Sequence, residues 1–245
     1  MTRVGILGDD PHPHVAAFVS LGCEIVLGQL EDMLPKVDAV VVASAADERF
    51  HHTALALEHE LDVLVEQPVA PTTENARMLE RIATLRPSEP VVQLSQPYAF
   101  DPALARLAQS DLVAIDLRRR GHAPLEADVH TLLSLARSPL ARVQASGGPQ
   151  VTVGTLVFET GLIATLSTGA FASQGCTVRV EGAETSVVAE LTPAFAAQAE
   201  SFLTAIRERS HPRITLRDAI ACMEVTAGIR ECLAVQAAAS GSGVR

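Results

Sequence analysis

Short apolar runs alternate with stretches of helical apolar spacing through residues 1–96. Val4–Leu7 is an apolar run ended by Gly8. Val15–Leu21 has helical spacing, Cys23–Leu27 is a second run closed by Gly28, and Leu30–Leu34 is a brief helix stopped by Pro35. Asp38–Ala43 is apolar at successive positions, as a strand covered on both faces requires. Glu48–Glu60 reads as a helix and Val63–Val65 as a fourth strand. Glu74–Leu85 is a helix capped at Thr72 or Thr73, with acids early and Arg77, Arg81 and Arg86 late. Val91–Leu94 is a fifth strand. Strand and helix alternating in this way predict an α/β domain built on a parallel, doubly wound sheet, whose ligand crevice lies at the carboxyl ends of the strands. Gly8, Ser44 and Glu66 each follow a strand and belong to that edge.

Residues 97–245 follow a different pattern. Strand-like alternation over Asp111–Arg119 leads to a helix-like Ala127–Ala136. Strand-like segments follow at Val151–Phe158, Leu162–Thr168, Thr177–Glu181 and Ser186–Glu190, punctuated by Gly161, Gly175 and Gly182. Two amphipathic helices, Pro193–Glu208 and Arg217–Ala239, precede a polar tail that is expected to fray. The expectation is an α+β domain with a mostly antiparallel open sheet, and a boundary near Gln96-Pro97.

Composition narrows the function classes. With 245 residues, 48% hydrophobic and 20% charged, the chain has enough apolar content for one large or two small cores. A net charge of -10, seven Phe, one Tyr and no Trp argue against a nucleic-acid partner. No apolar stretch approaches the ~18 residues of a membrane span. The N-terminus reads as a strand and not a signal peptide. Cys23, Cys176, Cys222 and Cys232 have neither zinc-ligand nor disulfide-framework spacing and read as small hydrophobes of a reducing compartment. A cytoplasmic location follows as the expectation.

Several segments, in order, resemble the glucose–fructose oxidoreductase / inositol dehydrogenase / rhizopine-catabolism family. They are the strand Asp38-Ala39-Val40-Val41-Val42-Ala43, the triplet Glu66-Gln67-Pro68 with Val69-Ala70, Phe100-Asp101-Pro102, and the closing Phe202–Arg207 and Ile214–Ala219. His130 resembles the family's catalytic histidine. The resemblance implies a Rossmann-type first domain (1–96) and a substrate and dimerisation domain (97–245). It also implies NAD or NADP as cofactor, a sugar-, cyclitol- or imine-like substrate, and a homodimer through the open face of the second sheet. The chain is shorter than typical members, with the gap placed between Arg120 and Glu126.

The chain departs from the family at the residues that carry its chemistry. Where the family has Glu-Lys-Pro, residue 67 is glutamine, whose amide has no titratable proton near neutral pH. Of the Gly-x-Gly-x-x-Gly fingerprint only Gly8 is present. Asp10 sets a carboxylate where a diphosphate should lie, and Pro13 lacks an amide donor. The acidic ribose reader after the second strand is replaced by Gln29, which can still bond a hydroxyl. The family's His-x-x-Asp aspartate falls at Leu133, leaving Glu126 and Asp128 as carboxylates for His130.

The candidate catalytic residues are therefore His130, Gln67, Glu66, Glu126 and Asp128, with Glu66 expected to close its strand by bonding neighbouring loops. Gly8, Asp10, His12, Gln29, Ser44 and Glu66 are the candidate cofactor contacts, and Tyr98, Arg118, Arg120 and His130 the candidate substrate contacts. The Arg118-Arg119-Arg120 run suits an anion or a solvated strand end. Asp9, Asp10, His12 and His14 have metal-ligand chemistry, but Pro11 and Pro13 predict a stiff, extended, solvated loop, and no metal is expected. Three functions remain open. The chain is a divergent oxidoreductase with an altered proton relay, a lapsed ligand-binding regulator or accessory subunit, or a cofactor-free lyase or isomerase using His130.

Overall fold

The computed structural model describes residues 1–8, 11–108, 111–121, 124–148, 150–169, 175–182 and 186–241. The chain divides into two compact units, Met1–Phe100 with Ala194–Ala221, and Asp101–Pro193 with Cys222–Arg245. The expected single boundary at 96/97 therefore differs from the observed division, because residues 194–221 return to the first unit.

The first unit holds a parallel sheet of order β2-β1-β3-β4-β5, made by β1 (Arg3–Gly8), β2 (Glu24–Leu27), β3 (Ala39–Ala43), β4 (Asp62–Val65) and β5 (Val92–Leu94). Ala39, Val40, Val41 and Val42 are all buried, as a central strand flanked by helices requires. The connecting helices are α1 (His12–Ser20), α2 (Leu30–Met33), α3 (Ala46–Glu58) and α4 (Thr73–Thr84). Thr72 caps α4, its Oγ1 accepting from the Asn75 N–H at 3.1 Å. The chain order reverses between β1 and β3, so the crevice opens beside Gly8 and Ala43.

The prolines of 11–13 do not hold the segment extended, as the sequence predicts. Pro11 caps α1 and Pro13 lies in its first turn, where a missing N–H costs nothing to the helix. Asp9 and Asp10 lie outside the described residues. The core of this unit joins Val4, Ile6, Phe18, Val41 and Leu64 to Ala199, Phe202 and Ala205 of α7 (Phe195–Glu208). Phe18 and Phe202 meet edge to face at 6.4 Å. Burying one such ring contributes about 1.5–3 kcal/mol.

The second unit is a six-stranded sheet of order β11-β10-β6-β9-β8-β7. Its strands are β6 (Leu112–Arg120), β7 (Leu140–Gly147), β8 (Val151–Phe158), β9 (Ile163–Gly169), β10 (Gly175–Gly182) and β11 (Ser186–Leu191). Within this sheet, β6 and β9 pair in parallel and the other described pairs are antiparallel. Ile115, Leu117, Leu156, Leu166 and Val178 face inward. They meet α6 (Leu125–Ala136), and the later part of α8 (Leu216–Gly241) brings Gly228 against Val143. A short helix, α5 (Pro102–Leu107), is capped by Asp101 and packs near β11. No helix of the described residues is long and apolar enough to cross a membrane.

Gly8 is demanded by packing. A Cβ there would lie 2.4 Å from the Ala43 carbonyl oxygen on the neighbouring strand. Gly8→Ala is expected to destabilise the protein by about 1–3 kcal/mol in urea denaturation; an unchanged midpoint would show that β1 and β3 do not approach so closely.

Candidate functional site

At the carboxyl edge of the first sheet, Glu66 follows β4, and its N–H donates to the Val42 carbonyl at 3.0 Å. Its carboxylate is gripped from two sides. His14 Nε2 lies 3.0 Å from Oε1 and Arg49 Nη2 lies 3.6 Å from Oε2. The His14 side chain is 2% exposed and the Glu66 side chain 34%. Beside an ionised carboxylate the imidazole Nε2 acts as the donor. Phe195 fixes the ring from behind, edge to face at 5.2 Å.

Arg49 is buried and its guanidinium is spread over backbone. Nε and Nη2 donate to the Ser44 carbonyl at 3.1 and 2.6 Å, and Nη1 donates to the Pro68 carbonyl at 2.8 Å. Ser44, also buried, has its Oγ 2.9 Å from His52 Nδ1. The Gln67-Pro68 peptide is cis. The Gln67 side chain is buried, and its Nε2 has no hydrogen-bond partner.

Pro11 and Pro13 carry no N–H, so the first turn of α1 offers the amides of His12 and His14 alone, and the Val15 amide already donates to the Pro11 carbonyl at 2.9 Å. Gly8 is accounted for by the approach of β3. Gln29, exposed at the start of α2, makes no side-chain cap bond. His12 is exposed. Asp10, the remaining expected contact, lies outside the described residues.

In the second unit the expected carboxylate partners of His130 turn elsewhere. Asp128, fully buried, accepts from Arg119 Nε. Glu126 Oε1 accepts from Arg230 Nη2 at 2.9 Å. His130 lies mid-helix and buried, not near a helix start, with Nδ1 3.2 Å from Ser134 Oγ. Alternation splits the arginine run. Arg119 points inward, while Arg118 and Arg120 line the outer face of β6, with Asp116, Thr177, Arg179 and Val188 around a shallow depression of about 230 Å³. Arg118 Nε donates to Asp116 at 2.8 Å, so it is already neutralised. Tyr98 is half-buried in a 3-10 turn over Pro97–Phe100.

Sequence reasoning missed Arg49, and it considered His14 only as a metal ligand. No group of three or more metal-ligating side chains gathers among the described residues. The signal for Arg49 was present: Arg49, Thr53, Ala56 and Leu57 share one helical stripe, all buried, and an arginine on an inward stripe is rare unless paired.

Burial pushes the Asp128 carboxyl up, with Arg119 and Thr168 opposing only in part. Burial also pushes the neighbouring Cys176 thiol up to about 11, so it stays protonated. A carboxyl raised on folding holds its proton more tightly folded than unfolded. Its contribution is fully present below the ordinary carboxylate range and is lost as pH rises through the folded value. Arg119→Met removes the opposing charge, so stability measured by denaturation is expected to fall more steeply as pH rises above the ordinary carboxylate range than in the unmodified protein. Parallel pH profiles would contradict this pairing.

Comparison with known proteins places the fold. Residues 2–89 match the sequence profile of the Gfo/Idh/MocA oxidoreductase family, NAD-binding Rossmann fold. None of the curated proteins compared matches the chain. Among solved structures, scyllo-inositol dehydrogenase from Lactobacillus casei with bound NAD(H) and scyllo-inositol superposes with a TM-score of 0.83 at 14% identity, over 96% of this chain and 98% of that one. UDP-N-acetylglucosamine 3-dehydrogenase from Acidithiobacillus ferrooxidans gives 0.82 at 17% identity, over 95% and 97%. GenD2 from gentamicin A biosynthesis, in complex with NAD, gives 0.84 at 15% identity, over 95% and 94%. At these identities the likeness concerns the fold.

Proposed function

We propose that the chain is a divergent member of the Gfo/Idh/MocA oxidoreductase family, whose sequence profile residues 2–89 match. In this reading it binds a sugar- or cyclitol-like molecule at the carboxyl end of β4, holds a nicotinamide dinucleotide weakly, and has slow or lost hydride transfer. The observation that carries this reading is the contrast along one crevice. Glu66 is firmly positioned by His14 and Arg49, while residue 67 is an amide and the first turn of α1 lacks two N–H donors. A polar ligand has a prepared edge, but a diphosphate has few donors and the ligand hydroxyl has no ammonium beside it. One solved structure of the same fold, in complex with NAD(H) and scyllo-inositol, supports the ligand class.

Calorimetry with NAD(H) and NADP(H) tests the cofactor half. Binding is expected only near about 1 mM, tightening at least tenfold in Pro13→Gly, Gln67→Lys, about 1.4 kcal/mol. Micromolar binding by the unmodified protein would overturn it. The regulator reading shares this site and predicts a ligand response with no turnover. The lyase reading loses support, because Asp128 and Glu126 are engaged by Arg119 and Arg230.

A homodimer through the open face of the second sheet belongs to the same proposal. That face carries the exposed Val153, Ile163 and Val188, together with Asp116, Arg118 and Arg179. A sheet face of this composition fits a partner face better than water. Sedimentation is expected to show a dimer that Ile163→Glu with Val188→Glu converts to monomer; a monomeric parent protein refutes it.

A further inference from the structure

The outer face of the second sheet gathers Arg118, Arg120 and Arg179 around one opening. Alternation along β6 sends Asp116, Arg118 and Arg120 to that face, and the register sets Thr177 of β10 beside Arg118 and Arg179 beside Asp116. With Val188 of β11 these side chains line the depression of about 230 Å³. The opening has a sequence cause. Arg120 pairs with Gly175 on one neighbouring strand and Gly169 on the other, so neither strand sets a side chain beside it. A Cβ at Gly175 would meet nothing within 4 Å.

Charge and donors do not balance there. Asp116 accepts from Arg118 Nε on Oδ2 and from Thr165 Oγ1 on Oδ1, both at 2.8 Å. Glu181 Oε1 accepts from Arg179 Nε at 2.6 Å and from Ser186 Oγ at 3.1 Å. Both carboxylates are engaged, and Arg120 forms no ion pair among the described residues. Each guanidinium is a fork of several N–H donors, more than these carboxylates accept. Like charges gathered on one sheet face also repel. An acceptor-rich anion answers both conditions.

We propose that the depression binds a tetrahedral oxyanion, either free phosphate or the phosphoryl group of a small organic phosphate. A carboxylate is satisfied by a single guanidinium fork, whereas a phosphate presents acceptors in several directions and suits several forks around one centre. The Thr177 hydroxyl is a further donor. The volume lies below the roughly 300–1,000 Å³ of pockets that enclose whole drug-sized ligands, so the site seats the charged group and leaves the remainder of an organic phosphate in solvent. The inference goes beyond the proposed function and needs neither Glu66 nor a nicotinamide.

Titration calorimetry of the full chain at constant ionic strength, with inorganic phosphate, glucose 6-phosphate and acetate, tests this. At least one phosphate compound is expected to bind at least about tenfold more tightly than acetate. Arg120→Gln is expected to weaken that binding at least about tenfold and Thr177→Val about threefold. Arg142→Gln removes the same charge from an exposed position of β7 outside the depression, and is expected to change it by less than about twofold. Tighter binding of glucose 6-phosphate identifies an organic phosphate as the ligand, and equal or tighter binding of inorganic phosphate identifies the free ion; either supports the site. Silence of the parent protein toward both phosphates at about 10 mM, acetate matching phosphate, or equal affinity in Arg120→Gln and Arg142→Gln overturns it. The depression lies on the face proposed for the dimer, so the same samples are sedimented. A monomer that binds phosphate removes the dimer and leaves this site standing; a dimer silent toward phosphate does the reverse.

Discussion

The guanidinium of Arg49 is the tie on which the crevice depends. Turns that follow parallel strands carry carbonyls with no partner in the sheet, and two of them, Ser44 and Pro68, point toward each other's loops. One planar donor fork reaches both, so the segments after β3 and β4 are held at a fixed separation by a group that loses little entropy in binding them. Glu66 then finds its place between Arg49 and His14 as a consequence of that separation. Lysine could not do this, since a point charge on a flexible stem lacks the fork.

The second unit solves a similar problem with a different economy. Arg119 and Asp128 are buried together beneath the sheet, and Glu126 reaches out to Arg230. Such pairs contribute little net stability over apolar packing, but removing one partner leaves a charge stranded. The first ties α6 to β6 and the second ties α6 to α8.

Most of the first sheet was legible, because apolar runs of four or five residues bounded by glycine or proline leave few alternatives. In the second half, β7 went unread: Leu140-Ala-Arg-Val-Gln-Ala-Ser-Gly has weak strand propensity, and its inward residues gain their burial from α8, nearly ninety positions later in the chain by the Gly228–Val143 contact. The start of α1 was misread for the opposite reason. Proline was taken as a breaker, but it is tolerated in a first turn. At the site, Glu66 and Gln67 were identified from the sequence. The partners that give Glu66 its position were not, since His14 and Arg49 lie 52 and 17 residues away and meet it only through the sheet.

The return of α7 to the first unit has a practical meaning. The core around Phe18 is completed by Phe202, so the nucleotide-type half of this chain is not a contiguous piece of polypeptide. A ribosome that has delivered residues 1–100 has not yet delivered the helix that seals them, and that surface must wait uncovered while the intervening sheet is synthesised. Excision at any single peptide bond likewise leaves one unit missing part of its interior.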